Sequence, residues 1–116
     1  MPDPLNVITE LARLIETRKR ERPADSYTTL LFDGGIDKIG KKVLEEAAEL
    51  VEAASEGESA DTRPEITHEA ADLLFHVLVL LTNSGVTLEE VVAELARRQG
   101  ISGLEEKRRR GGKSGQ

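Results

Sequence analysis

The sequence predicts an all-α fold: a short, four-helix bundle-like domain completed by homodimerisation. Three observations lead there. Apolar residues recur at threes and fours over four separate stretches. Charged residues make up 33% of the chain, and one tyrosine and two phenylalanines are its only aromatics. With few β-branched runs, that combination favours helix over sheet. The 116 residues suffice for one domain, 1–116, and enclose only a modest core, so helices apolar on more than one side require a partner.

The first helix is expected to open at Asp3, an N-cap residue, with Pro4 in its first turn. Leu5, Ile8, Leu11, Ala12 and Ile15 give it one apolar stripe. The polar run Arg18 to Arg22 follows, and Pro23 disfavours helix at Arg22. Ser26-Tyr27-Thr28 reads as a connection or short turn, and Gly34-Gly35 punctuates the chain. The second helix is expected from about Ile36 to Ser55, with Ile36, Ile39, Val43, Ala47, Leu50 and Ala54 facing inward. Gly57 and the polar stretch from Glu58 to Pro64 form a loop. The third helix, about Glu65 to Asn83, is apolar around most of its circumference (Ile66, Ala70, Leu73, Leu74, Phe75 and Val77 to Leu81). It belongs in the middle of a bundle or at a dimer interface. Gly85 ends it. Thr87 and Glu90 form a capping box for a fourth helix whose buried face is Leu88, Val91, Val92 and Leu95, and which Gly100 closes. Arg97 and Arg98 suit its C-terminal dipole. Residues 108–116 read as a flexible basic tail.

Several function classes drop out. Without cysteine there is no disulfide, thiolate chemistry or cysteine zinc site. The longest apolar run, Val77 to Leu81, is too short to cross a bilayer, and the N-terminus lacks a signal-peptide pattern, so a cytoplasmic protein without membrane contact is expected. A formal net charge of −6 argues against nucleic-acid binding but not against a small phosphorylated ligand, because a bound cation reverses the local sign.

The informative feature is a pair of spacings. Glu45-Glu46-x-x-Glu49 lies on the second helix and Glu69-x-x-Asp72 on the third, so Glu46 and Glu49 project from adjacent turns of one side, as do Glu69 and Asp72. Alone, the first motif reads rather as a solvated helix face supported by Lys41 and Lys42. The second changes the balance, because Glu65, Glu69, Asp72 and His76 form a narrow polar strip on an otherwise apolar helix. Antiparallel packing of the two helices brings four carboxylates into one crevice. Clustered carboxylates need protons or cations, and hard oxygen donors suit magnesium or manganese. A ferritin-like di-iron site needs two Glu-x-x-His pairs, and only Glu65-x-x-His68 fits. His76 reads as a hydrogen-bonded structural histidine and His68 as exposed.

These carboxylates resemble the signature of the all-α nucleotide pyrophosphohydrolase (MazG-like) superfamily. Four segments are similar to its phosphoribosyl-ATP pyrophosphatase branch: Asp25 to Thr28, Lys38 to Val43, Glu69 to His76 and Ser102 to Lys107. The resemblance covers about Leu11 to Arg110. It implies magnesium-dependent hydrolysis of phosphoribosyl-ATP to phosphoribosyl-AMP and pyrophosphate, the second step of histidine biosynthesis. By the same resemblance Glu46, Glu49, Glu69 and Asp72 are metal ligands, and Glu45 lies outside them or orients the attacking water. Lys42, with Lys38 and Lys41, is a candidate phosphate contact. The Ser102-Gly103 turn would help close the site. Many relatives carry a fused phosphoribosyl-AMP cyclohydrolase; this chain is expected to pass its product to a separate one. The alternative is a house-cleaning nucleoside triphosphate pyrophosphohydrolase with the same metal site.

Overall fold

The computed structural model describes residues 3–100; the predicted basic tail and the Ser102–Lys107 segment lie outside them. The described residues form four helices and no strand: α1 (Asn6–Glu21), α2 (Tyr27–Ser55), α3 (Thr62–Asn83) and α4 (Leu88–Gln99). The all-α expectation holds. The chain divides into two compact units, one through Gly85 and one from Val86. No single described helix is long and apolar enough to cross a membrane.

The Asp3 carboxylate accepts from the Leu5 N–H at 3.0 Å, as a cap should, but regular helix begins only at Asn6, after a tight turn. Leu5 is consequently exposed, and Ala12 and Ile15 carry the buried part of the predicted stripe. α1 ends on Arg22 in the left-handed region (φ 47°), whose N–H bonds back to the Arg18 carbonyl at 2.8 Å. The polar run that follows the stripe ties α1 to its neighbours. Lys19 Nζ donates to the Thr82 carbonyl at the end of α3 (2.9 Å), and Arg22 Nη1 to Asp33 Oδ1 (2.7 Å).

α2 departs most from expectation. Ser26 is an N-cap, its Oγ accepting from Thr29 N–H at 3.4 Å, so the predicted connection at Tyr27 is already helix. A break at Gly35 (φ 71°, ψ −164°) separates this arm, residues 27–34, from a second arm ending at Ser55. That conformation is all but restricted to glycine. The second arm matches the predicted bounds but not the full predicted face. Ile39, Glu46 and Ala53, seven apart, are buried; Val43 and Leu50 are half-buried; Ile36 and Ala54 are exposed. Ile36 is the first residue past the break, where the arm has not yet met its neighbour.

α3 starts at Thr62, three residues before the expected Glu65. Pro64 falls in the first turn, where a missing N–H costs nothing. Thr62 Oγ1 donates to the Gly57 carbonyl (2.7 Å) and Ser59 Oγ accepts from Thr62 N–H (3.2 Å), binding the loop to the helix start. α2 and α3 are the principal packed pair, with α1 against both. Tyr27 meets His76 while Glu46 and Glu49 meet Glu69, so α2 and α3 run antiparallel. The core consists of Ala12 and Ile15 from α1, Leu31, Phe32, Ile39 and Ala53 from α2, and Leu78 and Val79 from α3.

In the second unit, the Thr87–Glu90 capping box is complete: Thr87 N–H donates to Glu90 Oε2 (2.7 Å) and Glu90 N–H to Thr87 Oγ1 (3.1 Å). Glu94 accepts from Arg97 and Arg98, which together hold its carboxyl down at about 2. Of the predicted buried face of α4, Leu88 and Val91 are half-covered, and Val92 and Leu95 are exposed.

Candidate metal centre

The inward line of α2's second arm places a glutamate where its helical rhythm would put an aliphatic residue. Glu46 is 6% exposed, and its Oε2 is buried with no hydrogen-bond partner. Across the seam, α3 supplies Glu69, whose Oε2 is likewise buried and unpartnered. One turn along α2, Glu49 completes the group: single carboxylate oxygens of Glu46, Glu49 and Glu69 lie within 4.8 Å of one another. Ligand atoms of His68, Glu69 and Asp72 form a second such group, so Glu69 belongs to both.

Electrostatics make the arrangement costly without a counter-charge. Two unit charges 4.8 Å apart repel by about 3.5 kcal/mol at an effective dielectric near 20. The Glu69 carboxyl is held above its ordinary range by burial first, then by a hydrogen bond with Glu49 and the charges of Glu49 and Glu46; His68 opposes them. A shared proton is thus one answer to the crowding, and a cation is the other. The donors fit a hard divalent ion. Oxygens on opposite sides of an ion bound at about 2.1 Å lie about 4.2 Å apart, so little movement is needed to close the first group around one. Orphaned buried oxygens on two of its members are what such an ion would satisfy.

The remaining predicted residues divide. Asp72 Oδ2 lies 3.2 Å from His68 Nε2, and the Asp72 backbone carbonyl accepts from His76. Glu45 is exposed and belongs to neither group; its Oε2 lies 3.7 Å from Lys42 Nζ, as does Glu46 Oε1. Burial presses the Lys42 ammonium down, but Tyr27, Glu45 and Glu46 outweigh it and hold the ammonium above its usual value. Lys38 and Lys41 are exposed, and a Cβ on Gly34 would collide with the Lys38 side chain, so its stem runs over that glycine.

Two contributors escaped the sequence reading. His68 is exposed, as expected, yet it sits one turn from Asp72 with a ring nitrogen on its carboxylate; the i, i+4 spacing was the available signal. Tyr27 was assigned to a connection. Its hydroxyl stands 3.2 Å from His76 Nε2, and His76 is 5% exposed, with Nδ1 2.8 Å from the Asp72 carbonyl.

Comparison with known proteins places this geometry in context. Residues 8–99 match the family described as Phosphoribosyl-ATP pyrophosphohydrolase, a span that crosses both units. The chain is similar to the phosphoribosyl-ATP pyrophosphatase of Rhodopirellula baltica, 50% identical over 107 residues, covering 92% of this chain and 88% of that one. To the protein of the same name from Methylococcus capsulatus it is 47% identical over 103 residues, 89% and 94% of the two chains. To that from Hydrogenovibrio crunogenus it is 41% identical over 105 residues, 90% and 93% of the two chains.

Proposed function

The chain belongs to the phosphoribosyl-ATP pyrophosphohydrolase family, and on that premise we propose how its residues serve the hydrolysis of phosphoribosyl-ATP to phosphoribosyl-AMP and pyrophosphate in histidine biosynthesis. Glu46, Glu49, Glu69 and Asp72 hold a divalent cation, magnesium or manganese. The observation that carries this reading is the pair of buried, unpartnered oxygens on Glu46 of α2 and Glu69 of α3, two carboxylates of one cluster.

A bound divalent cation supplies neutralising charge for the triphosphate and for the leaving pyrophosphate. The chain's own groups do the rest. Lys42, fully charged and beside the carboxylates, contacts a phosphate, with the exposed Lys38 and Lys41 farther out. Glu45, outside both ligand groups and open to solvent, orients the attacking water. His68 keeps the Asp72 carboxylate in place through its Nε2. We read residues 1–116 as a single domain, supported by the family match across both compact units. We also propose a homodimer. The exposed Leu44 (73%) and Val51 (67%) lie seven residues apart on α2, and Leu74 is exposed on α3, apolar surface that a second copy can cover.

Pyrophosphate release from phosphoribosyl-ATP, measured beside dCTP, dUTP and ATP at saturating magnesium, tests the assignment. Phosphoribosyl-ATP should give the highest kcat/KM. A preference for a plain nucleotide would return the chain to the house-cleaning reading.

A further inference from the structure

A nucleotide carries a base as well as phosphates, and a flat π-system is held most simply by an aromatic ring. The chain offers few. It has no tryptophan, one tyrosine and two phenylalanines. Phe32 is buried in the core at 4% exposure, and Phe75 is half-buried. Tyr27, 48% exposed, is the one aromatic side chain with a largely open surface.

Its position is set with some care. Ser26 caps the arm that carries it. Phe75 stacks on one side, with ring centroids 6.3 Å apart and planes inclined by 23°. His76 stands edge-on to both rings, 6.1 Å from Tyr27 and 5.1 Å from Phe75. The Asp72 carbonyl can only accept, so His76 Nδ1 carries the proton and donates to it at 2.8 Å. In the neutral ring that leaves Nε2 as acceptor, and the Tyr27 hydroxyl donates to it at 3.2 Å. The phenol is therefore two hydrogen bonds from Asp72, a member of the proposed ligand set, and it lies near enough to Lys42 to raise that ammonium's pKa.

We propose that Tyr27 is a base-contacting residue, stacking the purine of the substrate on its exposed surface, and that the buried His76 is a positioning residue that fixes the ring by accepting a hydrogen bond from its hydroxyl. The proposal rests on the reading that the phosphates lie at the carboxylate crevice. It gives His76, which that chemistry does not otherwise use, a role at the site, and it places purine recognition on the arm before the Gly35 break.

The test separates base from phosphate. In Tyr27→Ala, KM for phosphoribosyl-ATP should rise about 5- to 100-fold, the loss of one base–aromatic stack, with kcat falling less than about threefold because a uniform contact is lost. Product inhibition by phosphoribosyl-AMP should weaken to the same degree. Inhibition by pyrophosphate, which has no base, should not change. His76→Leu should reproduce part of the KM effect and His76→Gln, whose carboxamide oxygen can accept the hydroxyl's hydrogen bond, should restore it. If His76→Leu does not fold, Tyr27→Phe removes the same hydrogen bond from the exposed side and should raise KM less than Tyr27→Ala. Equal weakening of pyrophosphate and phosphoribosyl-AMP inhibition would overturn the proposal, as would an unchanged KM in Tyr27→Ala. Glu46→Gln, run alongside, keeps the two readings apart: normal turnover there would discredit the metal centre, whatever Tyr27 shows.

Discussion

Replacing Glu46 with glutamine should make the metal-free protein more stable and the enzyme inactive. Glu46 is 6% exposed, its Oε2 has no partner, and carboxylates of Glu49 and Glu69 lie within 4.8 Å. At an effective dielectric near 20, one unit charge at that distance costs about 3.5 kcal/mol. Attraction to Lys42, 3.7 Å from Oε1, offsets part of this, though the lysine side chain is 33% exposed and solvent weakens the pair. Neutralising Glu46 also removes the desolvation cost of a buried charge, and the carboxamide NH2 can donate to a neighbouring carboxylate. The net gain should be about 1–3 kcal/mol in chelator, or about 4–12 °C in Tm for a domain of this size. Thermal unfolding in EDTA and in magnesium, paired with a pyrophosphate-release assay, reads both consequences. A variant less stable than wild type in EDTA, or one that still turns over normally, would refute the reasoning.

Other outcomes follow from the same structure. Magnesium should raise the Tm of the wild type in a concentration-dependent way, with stabilisation of about 2.7 kcal/mol at one hundred times Kd, and should leave Glu46→Gln unmoved. In chelator, the raised Glu69 carboxyl contributes stability below its ordinary 4.5 that is lost as pH rises through its folded value, so the wild type should weaken above that pH and Glu69→Gln should flatten the dependence. Glu94 has the opposite sign: its contribution is present above 4.5 and lost as pH falls towards about 2, a loss that Glu94→Gln should abolish. Gly35→Ala should cost about 1–3 kcal/mol in unfolding free energy, from backbone strain alone, since a Cβ there meets nothing within 4 Å.

The carboxylate crevice was legible because its signal is periodic. Glu46 and Glu49 one turn apart, and Glu69 on a helix with little other polar surface, need only an antiparallel pairing to cluster, and the short loop between the helices favours it; Asp72 instead joins Glu69 in a second group with His68. The helix starts were less legible. Regular helix came late at Asn6 and early at Tyr27 and Thr62, because Asp3, Ser26 and Ser59 act through local hydrogen bonds that resemble ordinary turn chemistry in sequence. Missing the first arm of α2 meant missing Tyr27, whose hydroxyl meets a residue 49 positions away. The inward face of α2 was misjudged at Ile36 for a related reason: a rhythm counted across an arm assumes that the whole arm is packed. The exposed face of α4 shows the same limit, since an amphipathic pattern says that a face is apolar and not what covers it.

The central claim is that these carboxylates hold the divalent ion that hydrolysis requires. Soaking crystals of the full chain in manganese and collecting diffraction at the manganese edge tests it most directly. The account predicts an anomalous peak between α2 and α3, about 2.1 Å from oxygens of Glu46, Glu49, Glu69 and Asp72, lost in Glu46→Gln. A peak held by other residues in an active enzyme, with this crevice empty, would contradict it.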